Sequence, residues 1–341
     1  MSIVGAFDVH RRQLTVDYLD TVTGEVKRGR VAPADREHLR AWLARFTGQD
    51  EVHFALEGCT GWRYVVEELT AAGIEPHLAE PADTAALRGK KRHAKTDRAD
   101  ARHLRVHLLA GDLPESWIPP EHVLETRALV RLYKDLLDER GGWQQRIAAT
   151  LFHQGAPLMA SAAIAEGRAP AGQAGLSAAG RQAVETGLRQ VERLSGELDP
   201  LRRRLGMISR RQPGCRALAA THYGIGPVTA VVIWAELGDV HRFSSSDDVI
   251  RHTGLDITVH SSDARRSAGH LSRQGPGLLR WALYEAAKCA ARPASPDYDY
   301  YTAFRARRGA GLATLSVARK LARRCYHTLR ELGEEALAPA A

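Results

Sequence analysis

Apolar residues in the first 80 positions follow a strand-like period and then alternate between strand and helix periods. The predicted strands are residues 3–8, 12–19, 26–31, 52–57 and 74–79, and the predicted helices are residues 34–46 and 62–69. In the second strand Leu14, Val16 and Tyr18 fall on one face, because side chains alternate along a strand. Three successive strands followed by alternating helix and strand predict an α/β domain with a mixed sheet.

A helical period replaces this pattern from about residue 97. It extends to about residue 150, with a break near Pro119 and Pro120, and it returns over residues 181–208. Residues 155–180 are rich in Ala and Gly, which is typical of a flexible linker. Two long amphipathic helices around a linker predict a helical coiled-coil arm or, alternatively, a packed helical subdomain.

The rest of the chain predicts a further, mainly helical domain. We expect an α/β domain at residues 1–115, a helical region at 116–210 and a C-terminal domain at 211–341. In the last of these, Gly224 and Gly226 lie between two helical stretches. This arrangement is typical of a helix-hairpin-helix, in which backbone N–H groups at the start of the second helix can contact a phosphate. Such turns also join helices that bind no ligand.

Basic residues are concentrated in the C-terminal part of the chain. The 341 residues carry a net charge of +8, and the isoelectric point is near 9.5. Residues 1–200 hold 26 Lys and Arg against 28 Asp and Glu, whereas residues 201–341 hold 22 against 12. This excess favours a polyanionic partner, because Lys and Arg neutralise phosphates and release counterions; a protein that is merely basic is the alternative. The most basic stretch includes Arg305, Arg307, Arg308, Arg319, Lys320, Arg323 and Arg324.

Other features argue against a membrane or secreted protein. No stretch approaches the roughly 18 apolar residues that span a bilayer, and the N-terminus has no basic segment ahead of an apolar run. We therefore expect a cytoplasmic protein without a membrane partner. The cysteines are far apart and lack metal-ligand spacing, so we expect reduced thiols; they are Cys59, Cys215, Cys289 and Cys325.

Four carboxylates stand at positions that favour a metal site. Asp8 ends the first predicted strand, Glu57 ends the fourth, and Asp97 and Asp100 begin a predicted helix. Residues three apart share a helix face, so Asp97 and Asp100 repel each other unless a cation lies between them. If the first and fourth strands are neighbours, all four acids can converge at one edge of the sheet. Such oxygen ligands bind Mg²⁺, and phosphoryl transfer can use two of these ions.

Cations crowd the sequence around Asp97 and Asp100. They are Arg88, Lys90, Lys91, Arg92, Lys95, Arg98, Arg102 and Arg105. A basic rim around an acidic, metal-bound site suits a phosphodiester substrate. The candidate nucleic-acid-binding residues of this region are therefore Lys90, Lys91, Arg92, Lys95 and Arg98.

A serine pair lies in a basic segment of the C-terminal domain. Ser261 and Ser262 are followed by Arg265, Arg266 and Arg273. A serine nucleophile needs a group that activates it and cations that hold the phosphate. The arginines can hold a phosphate, but no triad partner is evident. From the residues alone, this segment is either a catalytic loop or a simple turn.

Nearly the whole chain resembles the DEDD transposases of bacterial insertion sequences, the insertion-sequence one-ten (IS110) family. The motifs that carry the resemblance are Phe7-Asp8-Val9-His10, Leu56-Glu57-Gly58, Lys95-Thr96-Asp97-Arg98-Ala99-Asp100-Ala101, Gly224-Ile225-Gly226-Pro227, Gly254-Leu255 and Ser261-Ser262. The Lys-Thr-Asp-x-x-Asp-Ala segment combined with the distal Gly-Ile-Gly-Pro is specific.

This resemblance implies a fold and a set of ligands. The fold is an N-terminal RNase H-like (RuvC-like) domain, a coiled-coil region and a C-terminal transposase domain. The implied cofactor is Mg²⁺, with Mn²⁺ as a substitute. The residues implied to bind it are Asp8, Glu57, Asp97 and Asp100.

The resemblance also implies a serine nucleophile that attacks DNA and forms a transient phosphoserine link. By position this residue is Ser262, and Ser261 is the alternative. The chain departs from the family here, because Ile257 and Asp263 stand where the family often has Pro and Gly.

The partners implied by the resemblance are donor DNA, target DNA and a non-coding bridge RNA that pairs with both. Family members assemble as dimers and tetramers, in which acids of one subunit meet the serine of another. Two other hypotheses remain. A RuvC-like nuclease or junction resolvase would use water as the nucleophile and would not need the serines. A non-catalytic nucleic-acid-binding protein would show no Mg²⁺-dependent cleavage.

Overall fold

The computed structural model describes residues 2–87, 96–157, 163–164, 175–258, 261–262, 265–266 and 269–339. The chain divides into two compact units, Met1–Ile118 and Pro119–Ala341. The first contains a sheet and helices, and the second is mainly helical. Among the described residues, no helix combines the length and the apolar character needed to cross a membrane. The four cysteines form no disulfide.

A five-stranded mixed sheet forms the centre of the first unit. Its strands are β1 (Ile3–Val9), β2 (Leu14–Asp20), β3 (Val26–Val31), β4 (Val52–Glu57) and β5 (Glu75–Ala79). The order across the sheet is β3-β2-β1-β4-β5. β2 is antiparallel to β1 and β3, whereas β4 is parallel to β1 and β5. The predicted mixed sheet is confirmed, and it is consistent with an RNase H-like domain.

Aromatic side chains fill the core on one face of the sheet. The helices of this unit are α1 (Arg36–Leu43), which continues as a 3-10 turn (Ala44–Phe46), α2 (Trp62–Ala71), α3 (Pro81–Leu87) and α4 (Asp97–Ala110). Phe7 and Phe54 stack with their ring centroids 5.0 Å apart, and Trp42 packs edge-on against both rings. Gly5 leaves the space for this stack, because a Cβ there would lie 2.2 Å from Phe54 Cε1.

Helix α4 covers the opposite face. Leu104 and Leu108 pack there against Val4 and Ala55. The same helix buries the second face of β2, where Asp17 is only 1% exposed. Alternation in β2 therefore does not mark a solvent-exposed face, because both faces of the strand are covered.

Two long antiparallel helices begin the second unit. Its helices are α5 (Glu121–His153), α6 (Ala178–Arg211), α7 (Pro213–Thr221), α8 (Pro227–Leu237), α9 (Ser246–Thr253), α10 (Gly277–Ala287), α11 (Tyr298–Arg308) and α12 (Ala310–Glu331). Ile147 and Leu151 of α5 share a core with Val184 and Val191 of α6. Gly187 allows the close approach, because a Cβ there would lie 2.6 Å from Ile147 Cγ1. The pair is a helical hairpin.

The base of this hairpin packs against the C-terminal helices. Arg127 Nε of α5 donates a hydrogen bond to the carbonyl oxygen of Ala235 in α8 at 2.7 Å. Arg131 forms an ion pair with Glu236 at 3.5 Å. Most of the predicted flexible linker, residues 158–162 and 165–174, lies outside the described residues.

Candidate functional site

The carboxyl ends of β1 and β4 bring two acids together. The strands run parallel with Phe7 opposite Leu56, so Asp8 and Glu57 occupy the next positions along each strand. Since side chains alternate along a strand, both acids lie on the face that α4 covers. The expected adjacency of the first and fourth strands is therefore observed.

The start of α4 supplies the other two acids. The Thr96 side chain caps this helix and accepts a hydrogen bond from the Ala99 N–H at 3.2 Å. Asp97 and Asp100 lie in the first turn, where the helix dipole favours negative charge. They share a helix face with Leu104, which packs on the sheet. A cleft of about 960 Å³ is lined by all four acids, Asp8, Glu57, Asp97 and Asp100.

The charged form of Asp8 is disfavoured in this cleft. Its side chain is 17% exposed, against 48% for that of Asp97. Burial raises the pKa of the Asp8 carboxyl, and the negative charges of Asp100 and Asp97 raise it further, while His10 acts in the opposite direction. A cation among these acids would remove part of their repulsion.

His10 lies between two of the acids. Its Nε2 atom is 3.0 Å from Asp8 Oδ2 and 3.5 Å from Asp97 Oδ1. These three residues offer ligand atoms that lie within 4.8 Å of one another. Gln13 Nε2 also donates a hydrogen bond to Asp97 Oδ2, at 3.4 Å. His10 was not foreseen as a site residue, and its place two residues after Asp8 was the available signal.

The donor set fits a divalent cation. Hard cations such as Mg²⁺ take oxygen ligands from aspartate and glutamate. The cleft offers four carboxylates, and burial together with the charges of Asp100 and Asp97 raises the pKa of Asp8. The acids together with the RNase H-like sheet therefore indicate a dependence on divalent metal.

A buried ion pair holds α4 against the sheet. Arg105 Nε of α4 donates to one oxygen of Asp17, and Arg28 Nε donates to the other at 2.8 Å. Arg105 and Asp17 are 6% and 1% exposed. Arg105 was expected in a basic rim, and this expectation is wrong: the residue lies on the helix face that packs on β2.

Other cations do lie beside the acids. Arg28, Arg30 and Arg98 line a hollow of about 560 Å³ that also includes Asp97. Arg98 was a candidate nucleic-acid-binding residue, whereas Arg28 and Arg30 of β3 were not foreseen. The other candidates of this region lie outside the described residues, and they are Lys90, Lys91, Arg92 and Lys95.

The serine pair lies on a short β-ladder in the second unit. β6 (Ser261–Ser262) is antiparallel to β7 (Arg265–Arg266). Ser261 stands opposite Arg266, and Ser262 stands opposite Arg265. The backbone therefore brings two candidate phosphate-binding arginines next to both candidate nucleophiles.

The segments on either side of this ladder are paired as well. The Thr258 N–H donates to the carbonyl oxygen of His270 at 2.8 Å, and the Arg273 N–H donates to that of Gly254 at 3.2 Å. Arg273 has a φ of +53°, which is uncommon for a residue with a side chain. The backbone of this third candidate arginine is therefore held by a hydrogen bond to the segment that precedes the serines in sequence.

Two further arginines contact the chain segments before and after the ladder. Arg280 Nη1 donates to three carbonyl oxygens, among them that of Thr253 at 3.0 Å. Arg319 Nε donates to the carbonyl oxygen of Leu255 at 2.6 Å, and burial lowers the pKa of this guanidinium. Neither role was foreseen, because Thr253 and Leu255 lie 27 and 64 positions from the arginines that contact them.

Part of the basic C-terminal stretch has acidic partners within the fold. Asp297 is 4% exposed and accepts hydrogen bonds from Lys320 at 3.0 Å and Arg324 at 2.7 Å. Arg323 pairs with Asp247 at 2.8 Å. Burial raises the pKa of Asp297, but its two cationic partners outweigh that effect and hold the pKa below its usual value. Lys320 and Arg324 therefore stabilise the helical unit through a buried acid, whereas Arg323 and Asp247 form a largely exposed pair.

The glycines of the predicted helix-hairpin-helix lie between α7 and α8. Gly224 has a φ of +90°, and a Cβ there would lie 2.4 Å from the carbonyl oxygen of Ala286. A Cβ at Gly226 would meet no atom within 4 Å, and the Gly226 N–H donates to Thr229 Oγ1 at 2.9 Å. A cleft of about 680 Å³ beside this turn is lined in part by Arg202, Arg203 and Arg210 of α6.

Two family models match the chain. The model described as "Transposase", of the IS110 DEDD type, matches residues 5–153. The model described as "Transposase IS116/IS110/IS902 family" matches residues 216–302. The chain belongs to the IS110 family of DEDD transposases. In this IS110-family chain the four acids lie within the first matched segment, and the serine pair lies within the second.

Relatives of the chain carry transposase names. A putative transposase of Sinorhizobium fredii is 28% identical over 242 residues, which cover 64% of this chain and 60% of that protein. A probable family 20 transposase of Pseudomonas aeruginosa is 24% identical over 283 residues, covering 79% of this chain and 81% of that protein. A transposase for insertion sequence element IS1111A of Coxiella burnetii is 30% identical over 101 residues, covering 28% of each chain. The chain thus spans less than two thirds of the length of the Sinorhizobium fredii relative.

Proposed function

We propose that this IS110-family chain is a DNA recombinase that cleaves and exchanges DNA strands with the help of divalent metal ions. The observation that carries the proposal is the convergence of four acids on one cleft. When bound by such acids, Mg²⁺ ions activate the attacking oxygen and stabilise the leaving oxygen in phosphoryl transfer. Mn²⁺ is expected to substitute. The residues that would hold the ions are Asp8, Glu57, Asp97 and Asp100.

Other residues of the first unit have supporting roles in this proposal. His10 contacts Asp8 and Asp97 and so positions both carboxylates. Arg98 lies at the rim, where its charge would neutralise a phosphodiester beside the acids. Arg105 acts as a positioning residue, because it ties the helix that carries two of the acids to the sheet.

Ser262 is the proposed nucleophile. Its Oγ would lose a proton and bond to the phosphorus, while the bond from that phosphorus to one DNA oxygen breaks and the released oxygen takes up a proton. Attack on the phosphoserine ester by a hydroxyl of a second strand would release Ser262 and join the new strand. The preference for Ser262 comes from the family resemblance, and Arg265, which stands opposite Ser262, could hold the phosphate. Ser261, opposite Arg266, is the alternative, and Arg273 would add charge nearby.

The proposed nucleic-acid partners are donor DNA, target DNA and a bridge RNA. Base pairing with the RNA would carry sequence specificity, while the protein contacts backbones. The turn at Gly224 and Gly226, with the arginines of α6 beside it, is a candidate backbone contact. Further candidates in the first unit are Lys90, Lys91, Arg92 and Lys95.

The proposed assembly is a dimer, with a tetramer in the synaptic complex. The acids and the serines belong to different compact units of the chain. This separation is compatible with a composite site in which the acids of one subunit act with the serine of another.

The test is a recombination assay with the element's RNA, matched donor and target DNA, and Mg²⁺ or Mn²⁺. We expect Asp97→Asn and Glu57→Gln to lower the rate by more than about 100-fold, since each removes a metal ligand. Asp83→Asn, at an exposed acid of α3, is the matched control and should retain full activity. Wild-type recombination rates for both Asp97→Asn and Glu57→Gln would contradict the proposal. Unchanged nucleic-acid binding by the inactive variants would show that they are folded.

A further inference from the structure

A second group of metal-ligating side chains lies in the same unit, away from the four acids. His53 is in β4, and Glu75 and His77 are in β5. The two strands are parallel, with His53 paired to Glu75 and Ala55 paired to His77. Alternation therefore puts all three side chains on one face of the sheet.

This group is separated from the carboxylate cleft along the strands. His53 precedes Glu57 by four residues on the same strand, which corresponds to about 13 Å at the usual rise per residue. The histidines therefore lie towards the amino-terminal end of β4 and β5, whereas Asp8 and Glu57 lie at the carboxyl ends. A ligand bound at one group would not contact the other.

The distances within the group suit a small transition-metal ion. His53 Nδ1 is 3.0 Å from His77 Nε2 and 3.5 Å from Glu75 Oε2. All three ligand atoms lie within 4.8 Å of one another. Zinc binds such atoms at about 2.0–2.2 Å in a tetrahedral arrangement, which separates neighbouring ligand atoms by about 3.3–3.5 Å. A zinc ion therefore fits with only small shifts of the side chains.

A fourth residue orients one of the histidines. Glu115 Oε1 lies 2.9 Å from His77 Nδ1. A carboxylate at this nitrogen holds the proton there and leaves Nε2 with its lone pair facing His53, which is the arrangement common around metal-bound histidines. Glu115 is itself held in place, because its backbone forms a bridge with Ala79 and the next residue, Ser116, donates its N–H to the carbonyl oxygen of Leu78.

The two histidine side chains of the group are largely buried, whereas the glutamate side chain is mostly exposed. The side chains of His53 and His77 are 14% and 12% exposed, whereas that of Glu75 is 65% exposed. Two imidazoles are thus fixed inside the unit, and a carboxylate lies at its surface. With three ligands among the described residues, one coordination position would remain for water.

We propose that His53, Glu75 and His77 form a zinc-binding site, with Glu115 as the residue that positions His77. Imidazole nitrogens favour zinc over Mg²⁺, whereas the oxygen-rich carboxylate cleft favours Mg²⁺. The unit therefore holds two metal sites of different chemistry. The zinc site joins β4 to β5 and, through Glu115, fixes the segment that follows α4.

The test is the zinc content of the full chain after loading with Zn²⁺ and removal of unbound metal. It is made in an Asp8→Asn/Asp97→Asn background, so that the carboxylate cleft contributes no zinc. We expect one zinc per chain, and less than a tenth of that in His77→Gln. Glu115→Gln should weaken zinc affinity by roughly 10–100-fold. His107→Ala is the matched control, because His107 also pairs with an acid of this unit, Asp112, at 2.8 Å.

Melting curves with and without zinc provide a second readout. Zinc should raise the melting temperature of the parent and of His107→Ala, but not that of His77→Gln. If His77→Gln does not fold, Glu75→Gln takes its place, because its side chain is mostly exposed. Tetrahedral Co²⁺ absorption in the visible range that disappears in the cluster variants would support the assignment. No zinc in the parent, or equal zinc in the parent and the cluster variants, would overturn it.

Discussion

Arg105 of α4 donates a hydrogen bond to the carboxylate of Asp17 in β2, and both side chains are almost completely buried. The same helix carries Asp97 and Asp100 in its first turn. Because the ion pair lies on the helix face that contacts the sheet, it sets where these two acids stand relative to Asp8. The arrangement of the four acids therefore depends on a buried pair that does not line their cleft.

Replacing Arg105 by methionine should destabilise the first unit. Within the part of the chain that the structure describes, the change leaves Arg28 as the cationic partner of the buried Asp17 carboxylate. We expect a loss of roughly 3 kcal/mol in the free energy of unfolding, as is usual when one member of a buried pair is removed. Arg102→Met, at an exposed position of the same helix, should change it by less than about 0.5 kcal/mol. Equal losses in the free energy of unfolding of the two variants, measured with urea, would contradict the stabilising role of Arg105.

Asp8→Asn should stabilise the metal-free protein while abolishing cleavage. The pKa of Asp8 is raised by burial and by neighbouring acids, so its charged form is less favourable in the folded chain than in the unfolded one. This charge therefore lowers stability at neutral pH, and the loss disappears as the pH falls and the carboxyl takes up a proton. We expect a melting temperature a few degrees higher at neutral pH and a smaller gain near about pH 4. A lower melting temperature of Asp8→Asn at neutral pH would show instead that the Asp8 charge stabilises the fold.

The pH dependence of Asp297 should have the opposite sign. Burial raises its pKa, but Arg324 and Lys320 hold the pKa below its usual value. The ion pairs of Asp297 therefore contribute stability above the unfolded pKa of about 3.9. This contribution is lost as the pH falls through the lower pKa of the folded state. Asp297→Asn should cost about 1.5–3 kcal/mol at neutral pH and much less near about pH 2. Asp299→Asn, at an exposed site of α11, is the control; equal losses for Asp297→Asn at both pH values would refute the assignment.

Alanine substitutions at the two glycines of the α7–α8 turn should have different effects. Gly224→Ala puts a Cβ against Ala286 at a positive φ, so we expect a loss of roughly 1–3 kcal/mol. Gly226→Ala meets no neighbouring atom and should leave stability nearly unchanged. If the turn contacts a phosphate backbone, the added methyl group at Gly226 should still weaken nucleic-acid binding in a gel-shift assay. Unchanged binding by Gly226→Ala would remove this turn from the proposed interface.

Hydrophobic periods predicted the elements that carry the acids. Asp8 and Glu57 could be placed at strand ends because the apolar runs before them stop there, and the strand order then brought them together. The burial of Asp17 could not be foreseen in the same way. A polar residue in an alternating strand ordinarily indicates a solvent-exposed face, and only the packing of α4 reverses that expectation.

Charged residues were the least predictable part of the chain. Arg105, Arg319 and Arg324 were grouped by sequence with exposed nucleic-acid-binding cations, yet each has an internal partner. Their partners are 27 to 88 positions away in sequence. Net charge therefore indicates a class of partner, whereas the cations that remain available to it depend on the tertiary fold.

We propose that acids in one unit and a serine in the other exchange DNA strands through a covalent intermediate. The most direct measurement is a denaturing gel of the protein incubated with its element's RNA, labelled junction DNA and Mg²⁺. We expect a covalent protein–DNA adduct with the native chain and with Ser261→Ala, and none with Ser262→Ala or Asp8→Asn. Cleaved DNA ends without any adduct would contradict it and would favour water as the nucleophile.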